Sequence, residues 1–110
     1  MEISFVNRKT QRLCESEKEL QKALGKAGAK KAIRRLSDLR AAATLEDMRN
    51  LPGRTHELTG DRDGQLAIEL ADGFRLIVAP TDGWPTEKKE GAHVWAEIEA
   101  VQVLEITDYH

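Results

Sequence analysis

The chain has 110 residues, 40% apolar and 33% charged, with a net charge of -2 and a single cysteine. That size admits one domain, residues 1–110, with a modest core and one surface site, and excludes a buried cofactor site with a second domain beside it. No apolar run approaches the roughly 18 residues of a membrane span. The N-terminal MEISFVNRKTQRL lacks the basic start and long apolar centre of a signal peptide, so a cytoplasmic protein without a membrane partner is expected. Cys14 has no partner for an internal disulfide or a structural zinc site and reads as a small, semi-buried apolar residue.

In chain order, Glu2 to Val6 alternates, with Ile3 and Phe5 on one side, and predicts a short strand ended by Asn7-Arg8-Lys9-Thr10. Thr10 to Cys14 reads as a helical turn packed through Leu13. Ser16-Glu17-Lys18-Glu19 is a capping box opening a helix through Leu20, Ala23 and Leu24, which Gly25 and Gly28 loosen or break. Ala29, Ala32, Ile33, Leu36, Leu39 and Ala43 then mark the apolar face of a second helix. Its other side carries Lys30, Lys31, Arg34 and Arg35, with Arg34 and Asp38 spaced for an ion pair. Thr44-Leu45-Glu46-Asp47 predicts another N-cap and a short helix ending before Pro52, and Pro52-Gly53 is the turn between a helical and a sheet half.

The clearest strand signal lies in His56 to Val78. Leu66, Ile68 and Leu70 alternate with polar or small residues, and after Ala71-Asp72-Gly73 the alternation resumes at Phe74, Leu76 and Val78. A three-residue loop with Gly73 in the left-handed conformation keeps both apolar sets on one face, pairing Leu70 with Phe74 and Ile68 with Leu76. The same register sets Glu69 opposite Arg75 on the other face, where a cross-strand ion pair accounts for the arginine. Ala79 to Gly91 has no periodicity and reads as a long loop pinned by Trp84. A turn around Trp95 to Ile98 and a strand through Val101, Val103 and Ile106 complete an α+β order: an N-terminal strand and two to three helices on one face of an antiparallel sheet.

The small net charge conceals an asymmetry. Residues 1–54 hold 13 Lys and Arg against 7 Asp and Glu, and residues 55–110 hold 4 against 12, so local balances of +6 and -8 sum to -2. A basic helical face beside an acidic sheet follows, able either to attract phosphates or simply to solvate its helices. No phosphate-binding glycine loop, HExxH or paired metal-ligand spacing is present, and no serine sits in a nucleophile motif. What remains is His56 and His110 at the two ends of the sheet segment, with Arg75, Asp108 and Tyr109. Together they include a general base, a general acid and a cation, the groups that metal-free RNA cleavage by 2′-hydroxyl attack requires. His93 reads as an ordinary surface residue.

At these residues the chain resembles the RelE/ParE superfamily of bacterial toxins, and within it the HigB-like (killer protein) branch of type II toxin-antitoxin systems. The resemblance covers the N-terminal strand with Arg8-Lys9, SEKELQKALGK, AKKAIRRLSDLRAA, RTHELTGDRDGQLAIEL, FRLIVAP and AVQVLEITDYH, nearly the whole chain. It implies a small α+β toxin encoded beside a helix-turn-helix antitoxin (HigA-like). The implied activity is ribosome-dependent endonucleolytic cleavage of mRNA, without metal or organic cofactor. His56, Arg75, Asp108, Tyr109 and His110 fall on the implied site. The basic face of Lys30, Lys31, Arg34 and Arg35, with Arg62, is expected to bind the rRNA or mRNA backbone. The chain departs from the branch at Thr59, where a lysine is usual, at Glu69, where an arginine is frequent, and in its acidic balance. A ParE-like inhibitor acting on gyrase by binding alone and a degenerate toxin fold kept as a binding or antitoxin protein are the alternatives.

Overall fold

In the computed structural model, residues 1–85 and 94–109 are described. Strand β1 (Glu2–Phe5) leads into helix α1 (Arg8–Cys14), which starts two residues before the predicted helical turn. The cause is Asn7, whose side-chain oxygen accepts from Thr10 N at 2.8 Å and caps the first turn. Helix α2 (Glu17–Ala41) opens as its capping box predicts, Ser16 Oγ accepting from Glu19 N at 3.1 Å. Gly25, at φ 76° and ψ 175°, divides it into two arms. Gly28 leaves the helix unbroken; a Cβ there would lie 2.7 Å from Leu24 Cβ, so it serves close packing.

The second arm buries Ala29, Ala32, Leu36 and Leu39 but leaves Ile33 41% exposed, and it ends before Ala43. Arg35 departs from expectation: it is buried at 4% exposure, with Nε 3.2 Å from Asp38 Oδ2. Lying three residues after Ala32 and four before Leu39, it falls within the buried stripe, and Asp38 pairs with it instead of with Arg34. Beyond the helix, Leu45–Asn50 forms a 3₁₀ turn that buries Leu45 and Met48. Thr44 makes no side-chain cap bond there; Asp47 Oδ2 accepts from Ala43 N at 2.8 Å.

The sheet comprises β2 (His56–Glu57), β3 (Leu66–Glu69), β4 (Phe74–Pro80) and β5 (Ala100–Asp108) with β1, in the order β1-β5-β4-β3-β2. Strands β2 to β5 form an antiparallel meander. β1 lies parallel to β5, so the sheet is mixed rather than wholly antiparallel. The helices sit between β1 and the meander in sequence, the long crossover that a parallel pair requires. Leu36, Leu39, Leu45 and Met48 pack against Leu66, Ile68, Leu76, Val78, Val101 and Val103 in the main core, giving an α+β fold with the helices on one sheet face. No helix among the described residues is long and apolar enough to cross a membrane.

Two local devices set register. Ile68 pairs with Leu76 and Glu69 with Arg75, as the alternation predicts. The loop reaches that register with both Asp72 (φ 58°) and Gly73 (φ 81°) left-handed, a tight turn closed by Phe74 N donating to Ala71 O at 3.2 Å. Leu70 N donates to Phe74 O at 2.9 Å, which leaves Ala71 as the extra residue. On β5, Ile77 pairs with Glu105 but Val78 with Val103, so a bulge at Leu104 lets Val101, Val103 and Ile106 share the helix-facing side. Trp84 pins its loop as expected, Nε1 donating to Gly64 O at 3.0 Å; residues 86–91 of that predicted loop lie outside the described residues.

Candidate functional site

Because side chains alternate along each strand, the residues between the core positions face away from the helices. One cross-strand row on this open face is His56, Ala67, Ile77 and Glu105; the next is Glu69, Arg75 and Thr107. Ala67 and Ile77 are fully buried, while the charged residues around them keep partial exposure.

Arg75 is the centre of this face. Its Nη2 stands 3.7 Å from Glu69 Oε1, and its guanidinium carbon lies 4.2 Å from the centroid of the Tyr109 ring, a cation–π contact. Tyr109 is held there by the hairpin turn, its backbone N donating to Gly73 O at 3.0 Å. With Leu70, Gly73 and Phe74 these three side chains line a recess of about 280 Å³ at the end of the β3–β4 hairpin. Asp108 pairs with Phe74 and, by alternation, falls on the helix side of the sheet at its rim. His110, like His93, lies outside the described residues.

His56 shares the open face with Arg75 but not the recess. It sits on β2, two strand spacings or about 9.5 Å across the sheet from β4, with β3 between them. Its Nδ1 lies 2.7 Å from Arg54 O. A carbonyl only accepts, so Nδ1 carries the hydrogen and the neutral ring presents Nε2 as an acceptor, the tautomer suited to a general base.

The basic residues divide into three groups. Lys30, Lys31 and Arg34 are exposed on the second arm of α2, flanking a groove that also contains Ala27 and Pro52. Arg35 contributes to the same groove but is buried against Asp38, which withdraws it from the predicted solvent-facing set. Arg62 belongs to the open sheet face instead: Nη2 is 3.3 Å from Glu105 Oε2 and Nη1 donates to Gln65 Oε1 at 2.9 Å.

Arg54 has no place in the predicted site. It follows Gly53 in the turn, adopts a left-handed φ of 49°, and brings Nη1 to 3.8 Å from Glu69 Oε2. The Glu69 carboxylate therefore stands between two guanidinium groups, one on each oxygen. Gly53 makes this possible: at φ 111° its Cα is so close to Ile68 and Arg35 that a Cβ would lie 2.8 and 3.0 Å from their side chains. The available sequence signal was Pro52-Gly53-Arg54, separated from His56 by Thr55 alone. No protein-family model and no curated protein sequence matches the chain.

Proposed function

We propose that the protein is a type II toxin of the HigB-like branch, cutting mRNA on the ribosome in the cytoplasm and restrained by a helix-turn-helix antitoxin. The observation carrying this reading is the juxtaposition of Arg75, stacked on Tyr109, with His56 on one sheet face. The motif resemblance over most of the chain supplies the substrate class. In the reaction a base takes the proton from a ribose 2′-hydroxyl, and that oxygen attacks the adjacent phosphorus. An acid returns a proton to the departing 5′-oxygen, leaving a 2′,3′-cyclic phosphate and a 5′-hydroxyl. His56 Nε2 or His110 serves as base or acid. Arg75 stabilises the extra negative charge of the pentacovalent phosphate, and Tyr109 orients the substrate; Asp108, on the helix side of the sheet, is left for a contact with the partner. Lys30, Lys31 and Arg34 take the RNA backbone, so their loss weakens binding and flattens its salt dependence.

The test is induced expression with mapping of transcript 5′ ends. Cleaved transcripts with the wild-type chain, and their loss on Arg75→Ala or His110→Ala, are expected; growth arrest that survives both substitutions overturns the catalytic assignment. A second reading, a gyrase-type inhibitor acting by binding, is favoured by the Arg75–Glu69 ion pair and by Thr59 in place of a cation. Growth arrest with intact transcripts selects it, and induction without a growth defect selects a degenerate toxin fold.

A further inference from the structure

We infer that Arg54 and Arg75 form a two-guanidinium clamp for a phosphodiester of single-stranded RNA, and that Glu69 occupies the clamp as an internal competitor. This rests on the RNA-directed reading above and adds a second phosphate-binding residue and a determinant of affinity. Three observations lead to it. First, Glu69 offers one oxygen to each arginine, at 3.8 Å from Arg54 Nη1 and 3.7 Å from Arg75 Nη2, so the two cations converge on a single anion. Second, both distances are long for an ion pair and the Arg54 side chain is 83% exposed, so the carboxylate is held loosely enough for a phosphate to displace it.

Third, the clamp is built rather than incidental. Arg54 holds a left-handed backbone, a conformation that bulky residues seldom adopt and that recurs at ligand sites. That backbone is locked from both sides: Gly53 O accepts from Glu69 N, and Arg54 O accepts from His56 Nδ1 at 2.7 Å. One short segment thus sets the second cation, its competitor and the imidazole together. Planar guanidinium groups suit phosphate oxygens, and the 45% exposed Tyr109 ring beside Arg75 is a platform on which a base can stack.

The experiment measures binding of a fluorescein-labelled, single-stranded oligoribonucleotide of about ten nucleotides by anisotropy across a salt series, without ribosomes. Glu69→Gln, which keeps shape and removes charge, is expected to tighten binding about three- to tenfold and steepen the salt slope by about 0.7, one further phosphate neutralised. Arg54→Gln in the Glu69→Gln background is expected to cancel that gain, and Arg54→Glu alone to weaken binding below wild type; Arg54 is exposed enough for both to fold. Glu97→Gln makes the same charge change at the opposite end of the sheet and is expected to leave affinity within twofold of wild type, roughly the scale of a screened distant charge.

The clamp is overturned if Glu69→Gln binds no better than wild type or not at all, if its gain survives Arg54→Gln, or if Glu97→Gln matches it. Transcript mapping is an independent readout. A tightening by Glu69→Gln with intact transcripts keeps the clamp and rejects the nuclease, whereas cleaved transcripts without tightening do the reverse.

Discussion

The two faces of the central hairpin are built from neighbouring residues of the same strands, yet they obey different physics. On the helix side Leu66, Ile68, Leu76 and Val78 are wholly buried, and their position is fixed by removal of apolar area from water. On the open side Glu69, Arg75, Arg54, Arg62 and Glu105 are joined by ion contacts of 3.3–3.8 Å with partial solvent access. Contacts of that kind add little to stability. The lesson is that burial specifies this fold mainly from the helix side, with Ala67 and Ile77 the buried residues of the open row, and the charges around them are left to be arranged for a ligand.

Adjacent residues 75 and 76 put that contrast to a direct test. Leu76→Ala removes a fully buried side chain from the main core and is expected to cost about 2–5 kcal/mol. Urea unfolding should show this as a lower midpoint with an unchanged slope. Gly53→Ala comes next at about 1–3 kcal/mol, because a Cβ at φ 111° meets Ile68 at 2.8 Å and Arg35 at 3.0 Å. It also displaces Arg54, so it should lower RNA binding together with stability, linking the two faces at one position. Arg75→Ala is expected to shift stability by less than about 1 kcal/mol while lowering the proposed RNA cleavage about a hundredfold or more. A large loss of stability from Arg75→Ala, or a small one from Leu76→Ala, breaks the division between the faces.

The legibility of the sequence follows the same division. Period-two alternation around Asp72-Gly73 was enough to predict the Glu69–Arg75 register, because a one-residue slip in pairing would turn the helix-facing side chains of one strand to the opposite face from those of the other. The Ser16 cap was readable because its partner lies three residues away. Long-range arrangements were not: the parallel pairing of β1 with β5 depends on where the chain returns after the helices. Arg35 occupies a position in the apolar stripe but carries a charge that masked it, and the ion contact with Asp38 offsets part of the cost of its burial. On the open face, the sequence supplied His56, Arg75 and Tyr109 but not their spacing. β3 intervenes between His56 and Arg75, and the cation nearer to His56 in the chain, Arg54, emerges from a turn without any periodic signal.

The dryness of the helix side can itself be measured through Cys14, which is 6% exposed and packs in the main core with Leu36 and Leu39. Burial pushes its thiol up to about 11 from an ordinary 9.0, with Arg40 opposing and Glu15 reinforcing the shift. Between those two values the unfolded chain gives up the thiol proton while the folded chain keeps it. Folding then holds more protons than unfolding, so stability falls as pH rises from 9.0 towards about 11. Cys14→Ala removes this contribution while leaving the titration of the lysines and the tyrosine in place. Urea midpoints of the wild-type chain are therefore expected to fall more steeply through that window than those of Cys14→Ala. Below it, the native thiol should react slowly with a disulfide reagent, since the thiolate is the nucleophile. Equal pH slopes for the two proteins, with fast native-state labelling, would place water beside Cys14 and remove the contrast between a dry face and an ionic one.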